Sequence, residues 1–254
     1  MPSRVKHTDG DAAAWLPADW PAPASIHAGT TTRAGGVSAA PFDTFNLASH
    51  VGDEAGNVGA NHLRLRHLLK LPAEPCWLDQ QHGTRIIDPS RDEDYCADGS
   101  YSAQSGVVCA VLSADCVPVL LTNRTGSEIA AVHAGWRGIC GGVIQQAIAK
   151  FRSPADELLA WLGPHIRQES YRVRDDMRQS CLDAIADADQ AFSPAGPGRW
   201  FADLATLACA VLRTAGVNDI HQCGLCTYQT PRQFYSYRRE PTTGRMATLI
   251  WTDA

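Results

Sequence analysis

Three apolar runs in close succession constrain the fold more than any other feature of the chain. They cover residues 107–112, 117–121 and 129–132, and each has strand length and many β-branched residues. After the third run, apolar residues recur at helical spacing from Ile139 to Phe151. The pattern predicts three consecutive strands followed directly by a helix.

Two residues with reactive side chains stand at the ends of these predicted strands. Cys116 lies between the first two runs, and His133 lies where the third run gives way to the helix. Upstream, His82 follows another strand-like run at 76–78. One thiolate and two imidazoles would bind zinc and leave one tetrahedral position open, as in catalytic zinc sites. Spacing alone leaves the alternative open that Cys116 is a small buried apolar residue and the histidines form hydrogen bonds at strand ends.

Composition excludes several classes of protein. The chain has 254 residues, a net charge of −5 and no long basic run, which argues against a nucleic-acid partner. We see neither a signal peptide nor a membrane-length apolar stretch, so we expect a cytoplasmic protein without a membrane partner. The nine cysteines are irregularly spaced, which favours reduced thiols. Cys223 and Cys226 form a single CxxC without a second pair, and we interpret them as structural.

Strands and helices mix without strict βαβ alternation. This predicts a single α+β domain with mixed sheets rather than a doubly wound fold. Residues 1–25, rich in Ala, Pro and Asp, are interpreted as an amino-terminal extension, and residues 26–254 as the catalytic domain. Among the predicted helices, one runs from an Asn57 cap to about residue 70, one spans 175–188 and one follows an Asp203 cap.

Two further stretches hold candidate binding residues. Arg33 precedes Gly35 and Gly36, so it is a candidate anion contact, although a solvated charge beside an ordinary turn explains the same residues. Residues 234–239 place aromatic residues beside paired arginines, which is consistent with a substrate wall or with a strand edge carrying solvated charges.

Eight short motifs, in a fixed order from about residue 26 to the end, resemble one family. They are TTRAGGVS, FNLASHVGD, QQHG, ADG, SADC, HAGWRG, LGP and SYRRE. The family is the YfiH-like or laccase-domain family, also called multicopper polyphenol oxidoreductases. The resemblance implies α/β/β/α layers, distantly like a cysteine-hydrolase fold, and a zinc site formed by His82, Cys116 and His133. Departures from the family pattern are mild, at Gln81, Ser113 and Gly99, and none removes a ligand.

The resemblance also implies an activity. Members of this family are described as purine nucleoside phosphorylases that also deaminate adenosine and cleave methylthioadenosine. Zinc is the expected cofactor and copper the alternative metal. We expect Arg33 and Arg137 to bind phosphate, Asn46 and His50 to bind the nucleoside, and the protein to be a monomer. Asp98 and Asp115 either orient the ligating histidines or cap turns.

Three alternatives remain. A copper-dependent polyphenol oxidase would require several coppers, and the chain has nine histidines but no His-x-His pair. A hydrolase with Cys116 as nucleophile, such as an amidase that edits peptidoglycan precursors, is the second. The third is a binding protein with a structural metal, which the polar, glycine-lined turns argue against.

Overall fold

The computed structural model describes residues 14–253. The first thirteen residues of the predicted extension lie outside this range. The helices are α1 (Ala55–Leu69), α2 (Trp136–Gly141), α3 (Val143–Ile148), α4 (Asp175–Ala184) and α5 (Leu204–Thr214). The strands are β1 (Trp15–Pro17), β2 (Ile26–Thr31), β3 (Ile86–Ile87), β4 (Gly99–Ser102), β5 (Val108–Ser113), β6 (Val117–Asn123), β7 (Ile129–Ala134), β8 (Leu158–Leu162), β9 (Arg172–Arg174), β10 (Phe192–Pro194), β11 (Arg199–Ala202), β12 (Asp219–Gln222) and β13 (Met246–Thr252).

Two large sheets form the centre of the molecule. A four-stranded antiparallel sheet has the order β1-β2-β13-β5. A six-stranded sheet has the order β12-β8-β6-β7-β4-β3, with parallel pairs at both edges and antiparallel pairs between. A small sheet of β10, β11 and β9 lies apart from them in the strand pairing. Strand β1 comes from the predicted extension and pairs with β2.

Alternation along β5 shows how the layers stack. Val108 and Ala110 pack in the cluster that includes Leu65 of α1. Cys109 instead packs with Trp161 of β8, between the two sheets. Successive strand residues face opposite sides, so α1 covers one sheet and the second sheet covers the other face. The outer face of the six-stranded sheet packs against α2 to α5, which confirms the predicted α/β/β/α layers.

The strands that carry the candidate site are deeply buried. Every residue of β6 and β7 is buried. Burial of each large apolar side chain stabilises the folded state by about 1.5–3 kcal/mol. Functional groups at the ends of these strands are therefore held by a deeply buried part of the fold.

Several predicted boundaries were wrong. Helix α1 begins at Ala55, two residues before the predicted Asn57 cap, and Glu54 caps it without a side-chain hydrogen bond. Helix α4 ends at Ala184 because Ile185 has extended backbone angles. The run at 76–78 forms only an isolated bridge, at Cys76.

The predicted cap of the last helix was confirmed. Asp203 caps α5 and accepts hydrogen bonds from two backbone N–H groups, an interaction worth about 1 kcal/mol. Cys223 and Cys226 are free thiols, and Cys226 is buried in a backbone bridge with His165. Among residues 14–253, no helix combines the length and apolarity that a membrane crossing requires.

Candidate metal centre and substrate cavity

Three side chains from distant parts of the chain meet at one end of the six-stranded sheet. The ligand atoms of His82, Cys116 and His133 all lie within 4.8 Å of one another. Nε2 of His82 is 3.8 Å from Sγ of Cys116, and the two imidazole rings meet edge to face at 4.7 Å. We call these three residues the metal wall.

The register of two neighbouring strands explains part of this meeting. Val117 pairs with Ala134 and Pro118 pairs with His133. Because β6 and β7 are antiparallel, the residue just before β6, Cys116, comes level with the end of β7. His82 arrives separately, on the loop before β3.

Asp98 fixes both histidines. One of its oxygens accepts hydrogen bonds from Nδ1 of His133 at 2.8 Å and from the backbone N–H of His82 at 2.9 Å. The other oxygen accepts from the N–H groups of Gly83 at 2.6 Å and Gln81 at 3.2 Å. Using Nδ1 of His133 in this way leaves Nε2 directed at the site, which is how carboxylates orient metal-binding histidines. Asp98 therefore has the orienting role that the sequence left open.

Unusual backbone conformations surround the metal wall. His82 has a φ of 56° and Asp115 a φ of 108°, in a region that favours glycine. Such conformations persist where surrounding contacts enforce them, often at functional sites. A Cβ on Gly135 would lie 2.9 Å from Cδ2 of His82 and 3.0 Å from Sγ of Cys116. Gly135, the first glycine of HAGWRG, therefore leaves the space that the His82 ring and the Cys116 thiol occupy.

The pKa of the thiol differs sharply between Cys116 and two buried cysteines. Burial raises the pKa of Cys116, but the positive charge and hydrogen bond of His133, with those of His82, outweigh burial and lower that pKa to about 6. Burial lowers the pKa of His133, but Cys116 and Asp98 raise it to about 9. Burial raises the pKa of Cys76 and Cys109 to about 12. A readily ionised thiol beside two imidazoles is a donor set that suits zinc or copper.

The metal wall opens onto a cavity of about 420 Å³. Three arginines line it as well, Arg137, Arg238 and Arg245, and we call them the arginine wall. Of the residues expected to bind substrate, His50 and Arg137 line the cavity.

Arg33 and Asn46 do not line the cavity. Arg33 donates from Nε to the carbonyl of Asp43 at 2.9 Å and from Nη2 to the Asp43 carboxylate at 3.2 Å. Asn46 is fully buried, and its side chain donates to the carbonyl of Ala48 and to the carboxylate of Asp53. Both side chains hold the 33–53 region together, because their polar groups are already used within the protein.

Asp115 contacts neither histidine. Its carboxylate accepts from the hydroxyl of Thr227 at 2.6 Å and from the backbone N–H of Arg238 at 2.7 Å. Since Asp115 directly precedes Cys116, these bonds tie the metal wall to the segment that carries Arg238.

Comparison with known proteins identifies the family. The family model described as multi-copper polyphenol oxidoreductase laccase matches residues 27–253. The chain belongs to this family. A Pseudomonas aeruginosa relative named purine nucleoside phosphorylase is 45% identical over 239 residues, which cover 94% of this chain and 98% of the relative. The purine nucleoside phosphorylase YfiH of Escherichia coli K12 is 43% identical over 235 residues, covering 91% of this chain and 96% of that protein.

Solved structures of the family share the fold. The crystal structure of a Neisseria meningitidis protein matches with a TM-score of 0.91 and 40% identity, covering 95% of this chain and 100% of the other. The α/β/β/α layering is therefore common to this chain and that relative.

Some residues that line the cavity of this protein were not predicted from its sequence. Arg245 and Tyr171 line the cavity, but neither belongs to a recognisable motif. Gln80 also lines it, and its amide pairs with both the N–H and the carbonyl of Leu112, at 2.7 and 2.8 Å. No local pattern marks Arg245 or Tyr171, and although Gln80 belongs to the QQHG motif, its two hydrogen bonds depend on Leu112, 32 residues away. The ambiguous stretch 234–239 does contribute to the cavity, through Tyr237 and Arg238.

Proposed function

We propose that the chain is a zinc-dependent purine nucleoside phosphorylase. It would convert adenosine, inosine or guanosine and phosphate into the free base and ribose 1-phosphate. The observation that carries the proposal is the meeting of a Cys/His/His donor set, around one open cavity, with three arginines that form no ion pair within residues 14–253. The names of relatives with 39–45% identity over most of their length support it.

The metal wall is the proposed zinc site. His82, Cys116 and His133 would hold the ion, with Asp98 keeping His133 in the required tautomer. When bound by three protein ligands, zinc supplies a Lewis acid with one open coordination position. Copper remains the alternative metal for the same donors.

The cavity is suited to a nucleoside. Its volume falls within the range of about 300–1,000 Å³ that small-molecule sites occupy. Burial and the nearby charge of Arg245 lower the pKa of His50, which keeps its imidazole neutral and able to exchange hydrogen bonds with a nucleoside. Arg137 adds positive charge for phosphate.

In the reaction, the bond from C1′ to the purine nitrogen breaks and a bond from C1′ to a phosphate oxygen forms. The departing purine nitrogen takes up a proton and the phosphate gives one up, so the reaction consumes no proton overall.

Two further activities belong to the same proposal. Methylthioadenosine differs from adenosine at the 5′ position only, so the same cavity would phosphorolyse it. Adenosine deamination would require water to attack C6 of the base, after which the bond from C6 to the amino nitrogen breaks and ammonia leaves. Purified protein incubated with a panel of nucleosides, with and without phosphate, separates these activities by their products.

A Cys116→Ala variant tests the proposal directly. We expect loss of bound zinc, measured by elemental analysis, together with loss of adenosine phosphorolysis. The matched control is Cys96→Ala, which removes an exposed thiol that does not line the cavity. If Cys116→Ala retained zinc and activity at the level of the control, the proposal would be wrong.

A cysteine hydrolase is the second candidate, because of one geometric observation. The arrangement resembles a hydrolytic triad, with Cys116 in the place of the nucleophile, His133 in that of the base and Asp98 in that of the orienting carboxylate. A chelator separates the two functions. Removal of metal abolishes the phosphorylase, whereas it frees the thiol of a cysteine hydrolase and increases turnover of amide substrates.

A copper-dependent polyphenol oxidase has less support. Within the described range, 14–253, one group of three or more side chains has metal-binding geometry. Several coppers would require further groups of ligands.

A further inference from the structure

The three guanidinium groups of the arginine wall share an unusual environment. Across residues 14–253, the ion pairs between arginines and carboxylates include none of these three. Each of the three lies over an aromatic ring that also lines the cavity: Arg137 over Trp136 at 4.5 Å, Arg238 over Tyr171 at 4.8 Å and Arg245 over Tyr237 at 5.8 Å. Stacking fixes a guanidinium plane while leaving its N–H edges able to bind another group.

Arg245 is the most constrained of the three. Its backbone N–H donates to Oδ1 of the buried Asn46 at 3.0 Å. Its Nη1 donates to the carbonyls of Thr243 at 2.8 Å and Gly244 at 3.0 Å. Nε and Nη2 have no hydrogen-bond partner in the described part of the chain, and together they form the fork that binds two oxygens of one anion. The side chain is only partly exposed, so its positive charge is incompletely hydrated.

Arg238 has a similar arrangement. Its backbone N–H is held by the carboxylate of Asp115, and its Nη1 donates to the carbonyl of Arg172 at 2.8 Å. Its Nε and Nη2 make no other hydrogen bond within residues 14–253. Because Asp115 precedes Cys116, this second fork is anchored next to the metal wall.

We propose that Arg245 and Arg238 form the subsite for the phosphate co-substrate, with Arg137 adding charge at the exposed side. The inference rests on the proposed function and assigns a phosphate site that differs from the one expected from the sequence. Arg33 is unsuited to that role because it is paired with Asp43 away from the cavity. A phosphate carries one to two negative charges, which balance the positive charges of two guanidinium groups. Each guanidinium fork can donate two hydrogen bonds, one to each of two phosphate oxygens.

Steady-state kinetics of single variants test the assignment. We expect Arg245→Gln to raise the KM for phosphate by about 10- to 100-fold, the loss typical of a charge-assisted hydrogen bond, with the KM for the nucleoside changed less than about twofold. Arg238→Gln should act in the same direction. Arg245→Lys retains the charge but not the fork, so its KM for phosphate should lie between those of the wild type and Arg245→Gln. The matched control is Arg232→Gln, which removes an exposed arginine that does not line the cavity.

A binding measurement without turnover separates this inference from the proposed function. Inorganic phosphate, titrated into the zinc-loaded protein in a calorimeter, should bind the wild type and the Arg232→Gln control but not Arg245→Gln. The thermal unfolding and the zinc content of each variant show whether it is folded. If Arg245→Gln is not folded, Arg245→Lys replaces it in the titration.

Two outcomes distinguish the hypotheses. Phosphate binding that depends on Arg245, in a protein that phosphorolyses no nucleoside, would support the subsite and refute the proposed function. Active Arg245→Gln and Arg238→Gln variants with an unchanged KM for phosphate would refute the subsite and leave the proposed function standing.

Discussion

The two walls of the cavity are built in different ways. In the metal wall, Cys116 and His133 lie at the ends of buried strands and His82 lies on a loop, and one carboxylate, Asp98, accepts hydrogen bonds from both histidine residues. In the arginine wall, Arg137 lies in α2, whereas Arg238 lies on a loop and Arg245 just before β13, where backbone carbonyls and aromatic rings hold their long side chains. The difference matches the chemistry, since metal–ligand distances tolerate shifts of only a few tenths of an ångström. A guanidinium fork adjusts to its anion, so it requires a less rigid support.

The largest expected effect breaks the metal wall. In Gly135→Ala, the new Cβ would lie 2.9 Å from Cδ2 of His82 and 3.0 Å from Sγ of Cys116, so both side chains must shift away from it. We expect zinc affinity and phosphorolysis to fall by about 100-fold, because zinc–ligand distances vary by only about 0.2 Å and relieving the clash requires a larger shift. Zinc titration and activity assays measure both quantities.

The control for that experiment is another glycine. A Cβ on Gly59 of α1 would meet no heavy atom within 4 Å. Gly59→Ala should leave zinc binding intact and stabilise the helix by about 0.5–1 kcal/mol. Equal zinc affinity in the two variants would show that the close approach at Gly135 is unimportant.

Asp98→Asn should have the next largest effect. One carboxylate oxygen becomes an NH₂ group, which cannot accept the hydrogen bonds that His133 or the 81–83 loop donates. We expect zinc affinity to fall by about 10- to 100-fold, measured by competition with a chelating dye. Asp19→Asn removes an exposed carboxylate remote from the cavity and should have no effect. Full zinc affinity in Asp98→Asn would indicate that other contacts orient the histidines.

Thiol reactivity provides a pH-dependent comparison in the zinc-stripped protein. With its pKa near 6, Cys116 is a thiolate above about pH 6, so its alkylation by iodoacetamide should rise between pH 5 and 7 and then level off. Cys76 and Cys109, with a pKa of about 12, should remain unmodified over the same range. Peptide mapping after timed alkylation measures each site.

The His133→Gln variant sharpens this test. Without the positive charge of His133, the pKa of Cys116 should rise, and alkylation at pH 7 should slow by about tenfold. An unchanged pH profile would mean that His133 does not set the ionisation of the thiol.

The smallest expected effect concerns the arginine wall. Tyr237→Leu removes the ring beneath Arg245, and the loss of an exposed cation–π contact should raise the KM for phosphate by about two- to fivefold. Tyr237→Phe retains the ring and should behave like the wild type. A similar increase in both variants would assign the effect to the hydroxyl rather than to stacking.

Sequence reasoning succeeded where a pattern is local. The apolar runs around Cys116 and His133 predicted β5, β6 and β7 because strand burial on both faces leaves continuous apolar residues. The resemblance of the motifs to a known family predicted the three residues of the metal wall, and it also predicted the α/β/β/α order of the layers. The sequence alone did not distinguish two roles for Arg33, since a Gly-Gly turn after an arginine suits anion binding and internal ion pairing equally well, and the structure pairs Arg33 with Asp43 outside the cavity.

By itself, the sequence determined which segments become strands and helices, and which few side chains carry metal-binding chemistry, because side-chain type and short periodicity decide both. Only the tertiary structure decided which charges face the cavity. Arg245 lies about 200 residues from Asn46, the side chain that anchors its backbone. No periodicity records such a contact, because it arises when β13 pairs with β2 and β5 and carries the end of the chain back to the site.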